Sequence, residues 1–152
     1  MRLNFAGAPE IRTTRAAVWR HLLDPHFIAA CLPAVESVTV LEPTRFRIVS
    51  GFGVGFLRLD FTVIVELYDL VEPETARMRM HGTAPGTTVE MESRIAIEDA
   101  GPERVRLRWE AESVVHGTAA AVGRRLMEGA ARRVTAMFWE EFAKNAEAVR
   151  TR

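Results

Sequence analysis

Arg104-Val105-Arg106-Leu107-Arg108-Trp109-Glu110-Ala111-Glu112-Ser113-Val114-Val115 sorts its residues by parity. Val105, Leu107, Trp109, Ala111 and Val115 take alternate positions, and Arg106, Arg108, Glu110 and Glu112 fill those between, which is the period-2 signature of a strand with one dry face. A dry face needs a cover. From Gly117 onward no turn signal is evident, and Gly123, Leu126, Met127, Ala130, Val134, Met137 and Phe138 recur at three- and four-residue spacing, so one long helix with an apolar stripe is expected there. A curved antiparallel sheet closed by such a helix encloses a space, filled either by side chains or by a ligand.

Turn signals divide the rest of the chain. Leu3 to Ile11 reads as a first strand, made an edge or bulged one by Gly7 and Pro9. Thr13 or Thr14 caps a short helix carrying Ala17, Val18, Leu22 and Leu23, which ends at Asp24; a second helical turn through Phe27 and Ala30 stops at Pro33. Strands follow over Val35–Leu41, Phe46–Phe52, Phe56–Leu70, Arg77–Thr83 and Thr88–Glu98, separated by Pro- and Gly-containing turns, one of them through Gly51, Gly53 and Gly55. The order is strand, two small helices, about six antiparallel strands and a long helix, which is the α+β class.

The 152 residues suffice for one domain, taken as 1–152. Formal net charge is +0 with acids and bases interspersed, which gives no footprint for nucleic acid. Cys31 is the one cysteine, so an intramolecular disulfide is excluded and a reducing compartment fits. Met1–Phe5 lacks the apolar run of a signal peptide, and no segment is long and uncharged enough to span a bilayer, so the expectation is a soluble, cytoplasmic protein.

Parity also nominates the inner wall. Phe46, Ile48, Leu59, Phe61, Val63, Met78, Met80, Met91, Trp109 and Ala111 share the inward face with Phe52 and Leu57, and Met127 and Ala130 meet them from the helix. Gly123 thins the helix, for a ligand or for close packing. Ser50, Ser93 and Ser113 are the polar interruptions. The methionines suit a surface that adapts to varied ligands, and an ordinary filled core fits the same pattern.

Other sites are weak. The glycine cluster at Gly51, Gly53 and Gly55 is followed by strand and not by the helix of a phosphate loop. His21, His26, His81 and His116 lack metal-ligand spacing and read as solvated, and Cys31 reads as a small buried hydrophobe. Tyr68 falls outward with Glu66, whereas Glu141 extends the apolar stripe of the helix. No base, metal set or nucleophile pair forms a constellation, so neither catalysis nor a metal or cofactor is expected. Arg125, Arg132 and Trp139 recur at seven-residue spacing and are expected to align outward, as a docking surface or as a plain solvated face.

Cys31-Leu32-Pro33, Val54-Gly55, Gly117-Thr118-Ala119-Ala120-Ala121-Val122-Gly123-Arg124-Arg125-Leu126 and Gly129-Ala130-Ala131-Arg132 resemble the carbon monoxide dehydrogenase G subunit (CoxG) family of the START-like, Bet v 1-type (SRPBCC) superfamily. The family pattern Cys-Ile-Pro-Gly has Ala34 in place of its glycine here. The resemblance implies the helix-grip fold, a sheet of about seven antiparallel strands round a long C-terminal helix with a hydrophobic cavity between them. It also implies association with molybdenum hydroxylases of the CO dehydrogenase type, in membrane recruitment or in handling lipophiles such as quinones. Recruiting members carry a Pro-rich linker and hydrophobic tail, which the sequence to Arg152 does not include. The expectation is noncovalent binding of a lipophilic small molecule by a carrier or accessory protein, with peripheral membrane contact left open. A cyclase, aromatase or hydratase and a recruitment adaptor are the alternatives.

Overall fold

The computed structural model describes residues 1–54 and 57–150. Along the chain lie β1 (Arg2–Gly7), β2 (Glu10–Ile11), α1 (Arg15–Leu22), α2 (Pro25–Ala30), β3 (Val35–Glu42), β4 (Arg45–Val54), β5 (Leu57–Val71), β6 (Thr75–Ala84), β7 (Thr87–Gly101), β8 (Arg104–Gly117), a 3-10 turn (Thr118–Val122) and α3 (Arg124–Arg150). The sheet is antiparallel, in the order β1-β8-β7-β6-β5-β4-β3, with β2 also on β8. This is the expected helix-grip α+β architecture. The bend at Gly55 and Phe56 and the side chains of Phe52 and Leu57 lie outside the described residues.

Local chemistry places the two short helices. Thr14 Oγ1 accepts the Ala17 amide at 3.2 Å and caps α1. Asp24, expected to end that helix, also begins the next: its Oδ1 accepts the His26 and Phe27 amides at 3.0 and 3.4 Å, with Pro25 in the first turn of α2. The first strand splits because Pro9 interrupts it, and the Pro9 carbonyl accepts the Leu107 amide at 2.9 Å, which keeps both halves on β8.

The terminal helix starts later than its sequence pattern indicates. Gly117 (φ 91) and Gly123 (φ 102) both hold left-handed backbone that breaks a right-handed helix, so residues 118–122 form a separate 3-10 turn. Gly123 therefore precedes α3 and does not thin it. A Cβ at Gly117 would also lie 1.9 Å from the Gly86 carbonyl oxygen, so β8 must leave the sheet on a glycine.

Burial falls into distinct clusters. In the first, Trp19, Leu22, Leu107, Trp109, Ile95 and Phe142 tie α1 and α3 to β7 and β8. In the second, Leu3, Leu59, Val115, Ala119, Met127 and Ala130 tie the start of α3 to the sheet. In the third, Phe46, Ile48 and Val65 pack under Ile28, Ala29 and Leu32, with no residue of α3 among them. The outer face carries solvent-exposed ion pairs, including Arg79–Glu92 at 2.8 Å and Arg108–Glu98 at 3.0 Å, each worth little singly. Among the described residues no helix is long and apolar enough to cross a membrane.

Candidate ligand-binding cavity

Register brings the inner-wall residues into rows. Ser113, Met91, Met80, Val65 and Phe46 follow one another across β8, β7, β6, β5 and β4, and the adjacent row runs Val115, Val89, Gly82, Val63 and Ile48. β6 is the central strand of the sheet order. Its inward side chains should be the driest in the protein if α3 packed directly on them. Instead Met78 and Met80 are only half-buried, as are Val63 and Phe61 beside them on β5 and Val89 and Met91 on β7, whereas Leu67, further along β5, and Ile95 and Ile97, further along β7, are buried. These inward side chains are therefore incompletely covered by the helices.

The nominated wall residues divide accordingly. Phe61, Val63, Met78, Met80, Met91 and Ala111 are inward and half-buried. Phe46 and Ile48 are packed under α2, and Leu59, Met127 and Ala130 close one end. Trp109 is 9% exposed and stacks on Trp139, with ring centroids 5.9 Å apart, in the packed cluster at the α1 end. The apolar edge of α3 is also incompletely covered, because Leu126 and Met137 remain 50% exposed.

Two of the polar interruptions are structural. Ser93 Oγ donates to the Glu110 carbonyl at 2.9 Å, and Ser50 Oγ donates to the Pro33 carbonyl at 2.8 Å. The latter bond, with the Gly51 amide to the Ala34 carbonyl at 3.1 Å, fixes the loop that follows α2. Ala34 holds a left-handed conformation (φ 51) that a glycine would hold at lower cost.

Where α2 meets α3, Cys31 is buried, as expected. Its Sγ accepts from Asn145 Nδ2 at 3.6 Å and donates to the Phe27 carbonyl at 3.3 Å; burial pushes the thiol up, against its reactivity. Glu141 is half-buried on the adjoining turn of α3.

The histidine at position 21 is half-buried and not freely solvated. It lies flat on Phe27 with ring centroids 4.0 Å apart and edge-on to Phe142, and its Nε2 is buried with no hydrogen-bond partner. Burial, then Arg20, lowers its pKa, with Asp24 opposing. His26, His81 and His116 are exposed, the second paired with Glu90. Tyr68 points outward and donates to Glu92, whose carboxyl is held below its ordinary range first by that bond and then by Arg79. Among the described residues no group of His, Cys, Asp and Glu is placed to hold a metal.

The outward line Arg125, Arg132, Trp139 needs correction. The two arginines are exposed, but Trp139 is half-buried against Trp109, Phe138 and Phe142. A seven-residue step falls about 20° short of two turns, so the line drifts toward the packed side as it advances.

Strand parity missed the part played by α2. Ile28 and Leu32 pack in the cluster that includes Met78 and Met80, and alternation says which face is dry without saying which helix covers it. Asn145 was missed too, since nothing local distinguishes it from a solvated helix residue.

The family described as the carbon monoxide dehydrogenase G subunit (CoxG) matches residues 7–147. No curated protein matches. Among solved structures, the chain is similar to a conserved protein from Geobacillus kaustophilus, at 23% identity over 96% of each chain with a TM-score of 0.89. It is also similar to the Zhui aromatase/cyclase from Streptomyces sp. R1128, at 18% identity over 100% of this chain and 97% of that one, TM-score 0.74. A START superfamily protein from Mycobacterium smegmatis is similar at 13% identity, 96% and 98% coverage, TM-score 0.73. At these identities the likeness is one of fold.

Proposed function

The chain belongs to the carbon monoxide dehydrogenase G subunit (CoxG) family, and on that premise we propose that it binds a lipophilic small molecule noncovalently between sheet and α3 and presents it to a CO dehydrogenase-type oxidoreductase in the cytoplasm. One observation carries the reading: Met78 and Met80 on the central strand remain half-buried on the inward face, together with Phe61 and Val63 on β5 and Val89 and Met91 on β7. A ligand there is held chiefly by loss of apolar area from water, about 25 cal/mol per Å², with adaptable methionines tolerating variation in shape. Polar recognition is sparse, as Ser50 and Ser93 are spent on backbone carbonyls. The protein carries without turning its ligand over, and needs no cofactor to do so. The exposed Arg125 and Arg132, without Trp139, are the face offered to a partner protein or a membrane surface.

The experiment is native mass spectrometry of freshly purified protein, followed by extraction and identification of any retained lipophile. Mass excess that disappears on extraction and rebinds supports carriage. Failure of the protein to retain or rebind any quinone, isoprenoid or fatty lipophile defeats it. A cyclase-type enzyme is the competing reading, favoured by the Glu141 carboxylate, and substrate turnover lost on Glu141→Gln would establish that reading instead.

A further inference from the structure

α2 is a short helix held at both ends and fastened between them. Asp24 caps its start, and the loop after it is fixed to β4 by the Ser50 bond to the Pro33 carbonyl and the Gly51 bond to the Ala34 carbonyl. Phe27 and Cys31 tie it to the other helices. The Phe27 ring lies flat on His21 of α1 at 4.0 Å and edge-on to Phe142 of α3 at 5.2 Å, and Cys31 Sγ accepts from Asn145 of α3 at 3.6 Å. Ile28 and Leu32, on and just after the same helix, share a cluster with Met78 and Met80. α2 is thus a cover for these inward side chains of β6, and the aromatic contact is one of its fastenings.

His21 is the titratable member of that contact. Its Nε2 is buried with no hydrogen-bond partner among the described residues. Neutral, the ring can leave Nε2 as a bare acceptor and keep its proton on Nδ1. Protonated, it carries an N–H on each nitrogen and a charge, with no acceptor at Nε2 and a phenyl ring in place of water on one face. The charged groups round it are Arg20 on its own helix, which disfavours a second cation, Asp24 at the head of α2, which favours one, and Glu103 on the β7–β8 turn, which lines the same recess with Thr13, Thr14, Ala17 and Ala146. α3 meets it with Phe142, and Glu141 of α3 acts on Cys31 at the other end of α2. Neither Asp24 nor Glu103 bonds to Nε2, and loss of water is the largest influence on the ring, so it is harder to protonate here than in solution. The face of Phe27 returns only part of that loss to an imidazolium.

We propose that α2 is a proton-released latch: with His21 neutral it stays seated over Met78 and Met80, and protonation of His21 lifts it and frees the bound molecule. The release rests on the lipophile-binding reading, and the movement of α2 does not. A proton shifts the latch because it binds the lifted state, where the imidazolium reaches water, better than the seated one. The seated state has the lowered pKa, so it holds fully above about pH 6.5, the ordinary value, and gives way as pH falls through the seated value.

Cys31, the one cysteine of the chain, reports the movement without a ligand, because it is buried at the end of α2. The test labels the whole protein with 4,4′-dithiodipyridine at pH 7.5 and pH 5, for wild type and for His21→Phe, which keeps the stack and cannot take a proton. The ratio of the two rates cancels the thiol's own response to pH and is expected to rise about threefold or more at the lower pH. His26→Asn, at an exposed position on α2, should keep the wild-type profile. His21→Leu, equally unable to take a proton, serves if the phenylalanine variant does not fold. Release of N-phenyl-1-naphthylamine into excess cyclodextrin should quicken by a like factor in wild type and stay level in His21→Phe. A labelling ratio that stays level, or labelling that climbs with urea as steeply as global unfolding, overturns the latch and leaves lipophile binding standing. Release that stays level while the ratio rises overturns the gating of the ligand by α2. The expected labelling with no binding of N-phenyl-1-naphthylamine at pH 7.5 keeps the moving helix and defeats the lipophile reading instead.

Discussion

Replacing Gly82 with leucine separates a cavity from a filled core by the sign of its effect. Gly82 lies on the central strand of the concave wall, paired with Val63 on one side and Val89 on the other. A Cβ there would meet Phe61 Cδ1 at 3.4 Å, Val63 Cγ2 at 3.7 Å and Val89 Cβ at 3.8 Å, contacts that need little adjustment, since the nearest atom belongs to a half-buried side chain. Relief of the glycine penalty in a strand contributes about 0.5–1 kcal/mol. Burying roughly half of a leucine side chain adds about 1 kcal/mol. With open space above Gly82, the variant should therefore be more stable by about 1.5 kcal/mol and should bind a lipophile at least tenfold more weakly, because the leucine takes the ligand's place. In a filled interior the same side chain overpacks and costs about 1–3 kcal/mol. Urea denaturation gives the stability and titration with a lipophilic dye gives the binding. A folded Gly82→Leu protein that is destabilised by more than about 1 kcal/mol yet binds the dye as wild type does would refute the placement of the ligand.

Other consequences follow from individual contacts. His21 has its folded pKa depressed below the ordinary 6.5, so the stability it contributes while neutral is fully present above about pH 6.5 and is lost as pH falls through the folded value. His21→Phe, which keeps the stack on Phe27, should flatten that part of the profile; parallel urea midpoints for the two proteins from pH 7.5 to 5 would contradict the assignment. Ala34→Gly should stabilise by about 0.5–1 kcal/mol, the left-handed penalty less the greater backbone entropy of glycine, and a loss on thermal melting would show that the Ala34 methyl packs usefully. Trp139→Ala should cost about 2–3 kcal/mol, below the fully buried range because the ring is half-buried, whereas Arg125→Ser and Arg132→Ser should stay within about 0.5 kcal/mol; a neutral Trp139→Ala would restore the outward reading of that side chain.

The secondary structure was legible because its signals are local. Alternation in Arg104–Val115 needs only the twofold repeat of a strand, and the caps at Thr14 and Asp24 need only a side-chain oxygen within reach of the next turn's amides. The fold class and the membership of the inward face followed from the same periodicities, and Cys31, read as a buried hydrophobe, is one. What the sequence could not supply was the set of contacts across the concavity. Trp139 and Trp109 stack only because α3 sits where heptad drift carries Trp139 toward β8. The start of α3 after Gly123 depends on a backbone dihedral that glycine permits without requiring. His21 is withdrawn from water by Phe27 and Phe142, partners from two other helices. The distinction that bears on function, between Ile95 buried and Met80 half-buried on the same inward face, follows from which helices cover them, since Ile95 packs with residues of α1 and α3 and Met80 with those of α2 alone. Periodicity reports the direction of a side chain from its own backbone; whether anything fills the space it points into is fixed by elements distant in the chain, and only the tertiary structure decides that.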